Sequence, residues 1–157
     1  MTTKEQIYRL LERIDDKDLV VASLGTISRS LYNIRKEMRS DTNDFYCQGA
    51  MGSVLGIGLG LALNTKKKVW VLIGDGSFLM KMGTMATILK CRPKNLRIII
   101  FNNKELESTG GQKTSFDYIK EHIPFEILEV QSDYKKSPRP KGLCWQITDK
   151  FREKVLS

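Results

Sequence analysis

Histidine is almost missing from this 157-residue sequence; the only one is His122. Cysteine is scarce too. Cys47, Cys91 and Cys144 lie far apart, with no C-x-x-C pair. Metal-ligand spacing is therefore absent, and the odd count argues against a disulfide framework. Reduced thiols in a cytoplasmic protein are the expected state. No apolar run reaches the roughly 18–20 residues that a membrane span needs. The longest, residues 54–63, is broken by glycines. The first stretch, MTTKEQIYRLLERIDD, is charged and amphipathic without an apolar h-region, and reads as a helix rather than a signal peptide. No internal repeat, low-complexity segment or linker long enough to divide two domains is visible, so a single domain over residues 1–157 is expected. Two common nucleotide signatures are missing as well. TGGQKTS does not fit the G-x-x-x-x-G-K-[ST] phosphate loop. GIGLG sits inside a helical pattern, and GDGSFLM lacks the third glycine of a dinucleotide fingerprint.

What is present is basic charge and alternating structure. Lys and Arg number 26 against 18 Asp and Glu, a formal net charge of +8. The basic residues are dispersed, clustering only at 66–68 and 135–141, with no aromatic-interleaved face. Nucleic acid is not expected. The charge is either a solvated surface or suits an anionic substrate or an acidic partner.

Residues 3–14 read as a helix with Ile7, Leu10, Leu11 and Ile14 on one face. DLVVASLG (18–25) reads as a buried strand, TISRSLYNIRKEM (26–38) as a second helix, and RSDTND as a polar loop. GSVLGIGLGLAL (52–63) reads as a glycine-rich helix. Gly52, Gly56 and Gly60 fall on one face, which either packs on the domain's own sheet or meets a partner chain or cofactor. KKVWVLIGDG (67–76) is a buried strand, and SFLMKMGTMATILKC (77–91) a helix burying Phe78, Met82, Met85, Ile88 and Leu89. NLRIIIFNN (95–103) is another buried strand, residues 105–115 a polar loop, and FEILEV (125–130) the last strand. PRPKG is irregular, and residues 148–156 form a closing helix with Thr148 as N-cap. Near-continuous apolar strands alternating with helices define an α/β class, a three-layer parallel sheet with helices on both faces.

Two strands deliver oxygen ligands at their carboxyl ends, where open α/β sheets bind ligands. One ends on Gly74-Asp75-Gly76 and the other on Asn102-Asn103. A carboxylate, an amide oxygen and backbone carbonyls are hard ligands that suit Mg²⁺ or Ca²⁺, and Mg²⁺ completes its shell with phosphate oxygens and water. Gly74 and Gly76 allow close backbone approach. A helix starting near Ser77 aims its free N–H groups at the same place, as a phosphate site does. Metal plus diphosphate is the chemistry these residues point to.

GDG, then roughly 25 residues, then NN resembles the binding motif of thiamine-diphosphate (TPP) enzymes. GAMGSVLGIGLGLAL, GTISRSLY and NNKELESTGGQ resemble segments of phosphonopyruvate and sulfopyruvate decarboxylases. The resemblance runs from about residue 18 to 115. It implies a TPP-binding domain of the diphosphate type and the cofactors TPP and Mg²⁺. In that reading Asp75, Asn103 and the Glu105 carbonyl bind the metal, while Gly74, Gly76 and Ser77 cradle the diphosphate. The Gly49 carbonyl accepts from the 4′-amino group and Met51 packs beneath the cofactor. The activity implied is decarboxylation of 3-phosphonopyruvate or 3-sulfopyruvate, the cofactor acting as electron sink. An acetolactate-synthase-like carboligase and a non-catalytic TPP-binding subunit are the alternatives. Arg29, Ser108, Thr109 and Gln112 either donate to an anionic substrate or make ordinary local hydrogen bonds.

Three departures from the pattern matter. The family's glutamate at the pyrimidine ring sits in a separate pyrimidine-binding domain, absent here, and the glutamates of this chain read as surface residues. The resemblance therefore implies a partner subunit carrying that domain, a hetero-oligomer. Where the family loop has Gly and His, this sequence has Lys104 and Leu106. The stretch between GGQ and the last strand is short, so a unit at the sheet's edge is expected to be missing. His122 lies in that stretch; a surface or structural role is expected of it, with a catalytic acid as the alternative.

Overall fold

The computed structural model describes residues 1–40, 44–132, 140–141 and 144–157. The centre of the RSDTND loop and most of both PRPKG and the 135–141 basic cluster lie outside the described residues. The chain begins with α1 (Thr3–Leu11), β1 (Leu19–Ala22), α2 (Thr26–Glu37), β2 (Phe45–Tyr46) and α3 (Ser53–Asn64). It continues with β3 (Val69–Gly74), α4 (Asp75–Met80), α5 (Thr84–Cys91) and β4 (Leu96–Asn102). A small hairpin, β5 (Glu105–Leu106) and β6 (Gln112–Lys113), precedes β7 (Glu126–Glu129) and α6 (Cys144–Leu156).

Five strands form one parallel sheet in the order β2-β1-β3-β4-β7. Side chains alternate across a strand, so each apolar run feeds two cores. Leu19, Val21, Val71, Ile73, Ile98 and Ile100 pack on the side of α3, α5 and α6 with Val54, Leu59, Ile88 and Phe151. Val20, Ala22, Trp70, Leu72, Ile99 and Phe101 pack on the other side with Ile7, Leu10, Leu31 and Ile34 of α1 and α2. This is the three-layer α/β arrangement expected. Among the described residues, no helix is long and apolar enough to cross a membrane.

Several local expectations are corrected. The helix expected at 77–91 is two helices, parted at residues 81–83. Gly52, in the left-handed region at φ 78°, brings the start of α3 against the end of α4. A Cβ there would lie 2.6 Å from the Ser77 carbonyl and 2.5 Å from Lys81 Cγ. Lys81 leaves the helix at φ −135°. The break resets the helical phase. Phe78 and Ile88 are buried as expected and Met85 partly so, whereas Met82 and Leu89 are exposed. α6 starts at Cys144, so Thr148 lies inside the helix and is not its N-cap. Ile147 and Phe151 are buried and Val155 packs partly, a four-residue spacing that carries the helix back past Thr148. The loop expected over 105–115 contains the β5–β6 hairpin, and the two-residue β2 has no counterpart in the expectation. The first helix ends at Leu11, before Ile14, although Ile14 is buried.

The glycine face of α3 divides. Gly58 is the glycine that faces the sheet; a Cβ there would lie 2.2 Å from Val71 Cγ2. Gly56 and Gly60 are exposed, with nothing within 4 Å of an added Cβ, so that face does not pack on the domain's own sheet.

At the β7 edge, Gln131 N–H donates to the Met1 carbonyl (2.9 Å) and Thr2 forms a parallel bridge with Gln131. Arg13 grips Glu126 through two bonds of 2.7 and 2.9 Å. Charged side chains on a short edge strand discourage pairing with another chain. His122 is exposed in a short 3₁₀ turn, Lys120–His122, as its surface role required.

Candidate cofactor site

β3 and β4 run side by side with Gly74 opposite Phe101, so Asp75 and Asn103 emerge together beyond the carboxyl ends of the sheet. They line one cavity of about 90 Å³ with Gly74, Gly76, Ser77, Met51, Glu105 and Thr109. With Ser108, nine residues singled out from the sequence thus meet in one place.

Asp75 is 1% exposed. Burial pushes its carboxyl above the usual carboxylate range. Opposing this, the Thr114 hydroxyl donates to its Oδ2, and the backbone N–H groups of Gly76, Asp75 and Asn103 act the same way. Among the described residues no Lys, Arg or His lines this cavity, and the ionisable groups that do are Asp75, Glu105 and Glu107. A buried carboxylate held by hydrogen bonds, among other carboxylates and without a cationic side chain, fits a metal ion. Among the described residues no three His, Cys, Asp or Glu form a metal cluster. The set that fits here needs only one carboxylate, one amide oxygen and one backbone carbonyl, all hard ligands.

The two asparagines part company. Asn102 is fully buried, and its Nδ2 donates to Asp117 (3.0 Å) and Glu129 (3.0 and 3.1 Å), tying the loop after the hairpin to β7. Asn103 faces the cavity, and its Oδ1 accepts from the Glu105 N–H (3.1 Å). Between them and β5, Lys104 adopts φ 64°. That left-handed conformation costs a non-glycine residue roughly 1–2 kcal/mol. Lys104 thus holds a backbone shape that glycine adopts without that cost. Leu106 packs against Gly76, where an added Cβ would lie 2.4 Å from Leu106 Cδ2. A Cβ there would force the Leu106 side chain to shift.

A second cavity of about 230 Å³ lies beyond β1, lined by Leu24, Gly25, Ser28, Arg29, Cys47, Gln48, Gly49, Ser108 and Pro140. Leu24 and Ser108 line both cavities. Gly49, at φ 84°, falls here and not with Met51. Of the four candidate substrate donors, Arg29 and Ser108 meet in this cavity, and Thr109 lines the first with Ser108. Gln112 is exposed and lines neither; its Nε2 donates to the Thr109 carbonyl (3.1 Å).

Thr114, Thr26, Glu107 and Gln48 are polar residues of the site that were not singled out from sequence. Thr114 holds Asp75 from across the hairpin. Thr26 donates to Glu107 (2.5 Å), which also accepts from Ser132 (2.9 Å). Gln48 lines the second cavity. Glu107 is half-exposed in a loop, in keeping with a surface glutamate, and also lines the first cavity. Thr26 and Glu107 both sit inside quoted motifs, which was the available signal. Thr114 carried none.

Open parallel α/β sheets bind ligands beyond the carboxyl ends of their strands, where this one sets a glycine-flanked carboxylate and an asparagine at adjacent strand ends. Residues 23–137 match the family described as thiamine pyrophosphate enzyme, C-terminal TPP binding domain, and the chain belongs to that family. It is 42% identical over 108 residues to the sulfopyruvate decarboxylase subunit beta of Methanocaldococcus jannaschii, covering 69% of this chain and 55% of that one. It is 39% identical over 134 residues to the protein of the same name from Methanothermobacter thermautotrophicus, covering 82% and 70%. Phosphonopyruvate decarboxylase of Streptomyces hygroscopicus is 44% identical over 110 residues, which make up 69% of this chain and 26% of that enzyme. The chain thus spans about half of the first relative and a quarter of the last.

Proposed function

We propose that this chain is the TPP- and Mg²⁺-binding subunit of a 2-oxo-acid decarboxylase that converts 3-sulfopyruvate or 3-phosphonopyruvate to the corresponding aldehyde and CO₂. The observation that carries the reading is the convergence of Asp75, Asn103 and Glu105 on one cavity whose floor is Gly74-Asp75-Gly76. In it, the Asp75 carboxylate, the Asn103 amide oxygen and the Glu105 carbonyl hold Mg²⁺. Gly76 and Ser77 receive the diphosphate, Met51 supports the cofactor, and the Gly49 carbonyl accepts from its amino group. When bound, TPP supplies the electron sink for loss of CO₂. The chain's own residues anchor, orient and neutralise charge. Relatives from two decarboxylase groups, each about 40% identical, support the substrate class.

The subunit works with a partner chain that carries the pyrimidine-binding domain and its glutamate. The name subunit beta that relatives carry supports this.

Calorimetry of the assembled complex tests the site. TPP binding is expected to require Mg²⁺ and to be lost in Asp75→Ala; unchanged affinity in that variant refutes the metal assignment. CO₂ release from either substrate tests the activity, with a co-expressed pyrimidine-domain partner, TPP and Mg²⁺ all present. Absence of turnover under those conditions overturns the decarboxylase reading.

A further inference from the structure

A third cavity, of about 310 Å³, is lined by residues of α2, β2 and α6. Asp44 stands just before β2, and Arg35 lies in the last turn of α2, which runs back from the carboxyl end of β1. The cavity therefore sits toward the amino ends of the strands, away from Asp75 and Asn103. Among the described residues it shares none with the metal cavity, and Pro140 alone with the cavity that holds Gly49.

Its lining is basic. Lys36 comes from α2, Lys150 from α6 and Lys141 from the segment before α6. Among the described residues no ion pair engages any of these three lysines. The carboxylate in the lining is Asp44, and two cations already share it, Arg35 Nε at 2.9 Å and Lys154 Nζ at 3.8 Å. Its charge is thus offset before the lysines are counted. Arg35 also has donors to spare. Its side chain is 7% exposed, and among the described residues its Nη2 is buried without a hydrogen-bond partner. Folded proteins pair nearly all such groups, and a charged donor left unpaired is costly. The guanidinium fork suits phosphate oxygens, and ammonium groups add point charges around them.

We infer that this cavity binds an organic phosphate, its phosphate group held by Arg35, Lys36, Lys141 and Lys150 and its body lying against Tyr32 and Tyr46. A phosphate monoester carries close to two negative charges at neutral pH, which matches several uncompensated cations better than a carboxylate does. The volume falls in the range of small-molecule sites, roughly 300–1,000 Å³, so a phosphate ion alone would fill only part of it. The remaining wall is apolar and aromatic. The rings of Tyr32 and Tyr46 meet edge to face, 5.6 Å between centroids, and Ile147 lies beside them in the lining. Rings of this kind take up a planar or apolar body while the charged groups hold its phosphate. The inference is independent of the decarboxylase reading, because the occupant is neither that reaction's substrate nor its cofactor.

Calorimetry of the full chain tests it, with inorganic phosphate, ribose 5-phosphate and AMP as probes. Mg²⁺ is left out, so that the carboxylates of the first cavity repel all three. AMP is expected to bind most tightly and inorganic phosphate least, and added salt to weaken each. Removing Arg35 outright strands Asp44, so the exposed lysines carry the main arm. Changing Lys36, Lys141 and Lys150 together to Gln is expected to weaken every probe by about tenfold or more, the scale of lost hydrogen bonds to charged groups. Arg35→Lys keeps a cation for Asp44 but removes the fork, and is expected to weaken every probe as well. Tyr32→Leu should erase the advantage of AMP over inorganic phosphate. Arg29→Ala, in the neighbouring cavity, should leave all three affinities unchanged. Binding of none of the probes overturns the inference, as does undiminished binding in both the triple lysine variant and Arg35→Lys. A loss in Arg29→Ala that the lysine variant does not share moves the anion to the other cavity and overturns it too. AMP binding no tighter than inorganic phosphate overturns the organic body.

Discussion

The hydroxyl of Thr114 donates to the carboxylate of Asp75, joining residues 39 positions apart at the mouth of the candidate cofactor site. Burial pushes the Asp75 carboxyl up, and this bond is the foremost influence drawing it back. Thr114→Val keeps the shape and removes the donor. A lost hydrogen bond to a charged, partly buried group costs roughly 1–3 kcal/mol. Urea unfolding should show that loss without Mg²⁺. A saturating concentration of Mg²⁺ should shrink it, because the cation then stabilises the charge. An equal loss with and without Mg²⁺ would separate Thr114 from the metal site.

The glycines of α3 make opposite predictions. Gly58→Ala puts a methyl 2.2 Å from Val71 Cγ2 in the core, and overpacking of this kind costs about 1–3 kcal/mol. Gly56→Ala and Gly60→Ala meet nothing within 4 Å, and should stabilise the isolated chain by roughly 0.5–1 kcal/mol each through helix propensity. Thermal melts of the three variants check this ordering. If the partner subunit uses that smooth face, the same two stabilising changes will weaken assembly, read by size-exclusion chromatography of the mixed subunits.

Arg35 and Asp44 form a buried pair, Nε to Oδ2 at 2.9 Å, with side chains 7% and 0% exposed. Desolvating two charges consumes most of their attraction, so the pair itself adds little. Removing Asp44 is different, because it strands both Arg35 and the Lys154 ammonium, which lies 3.8 Å from Asp44 Oδ1. Asp44→Ala should cost about 3–5 kcal/mol, and changing Arg35, Asp44 and Lys154 together to apolar residues of similar volume much less. Urea unfolding of the single and triple variants measures the difference.

Asp117 ties the end of β4 to the loop after the hairpin. Hydrogen bonds from Lys104, Asn102 and Lys120 hold its carboxyl at about 2, below the usual carboxylate range. The folded value lies below the unfolded value of about 4, so its contribution is complete above that pH and disappears as the pH falls toward 2. Wild type should therefore exceed Asp117→Asn in stability at pH 7. The gap should narrow between about pH 5 and pH 2, followed by urea midpoints across that range. A constant gap would mean the carboxylate's charge plays no part.

Much of the fold was legible because apolar periodicity is a local property. Residues 19–22, 69–74 and 96–102 form strands inside the runs that predicted them, each nearly all buried. The strand-end oxygens were legible for a related reason: Asp75 and Asn103 follow directly on β3 and β4, and a strand end fixes where its next residue goes. The errors fall where a distant contact overrides local preference. The continuous helix at 77–91 fails because Gly52, some 30 residues earlier in sequence, brings α3 against its first turn. Met82 and Leu89 were assigned to the core on a phase that this break resets. Lys104 carried no sign that it holds a positive φ, since that angle is imposed by the loop and not by the side chain.

By itself the sequence determined the α/β class, the order of its main elements and the residue types at two strand ends, because hydrophobic period and glycine spacing act within a few residues. Tertiary structure alone decided which asparagine faces the site and which locks β7. It also decided that Gly58, and not Gly56 or Gly60, meets the sheet, and that Glu107 lines the first cavity. It separated three carboxylates into one cavity and Arg29 into its neighbour. Those outcomes depend on where residues far apart in the chain are brought together, and packing and desolvation act on that arrangement rather than on any local stretch.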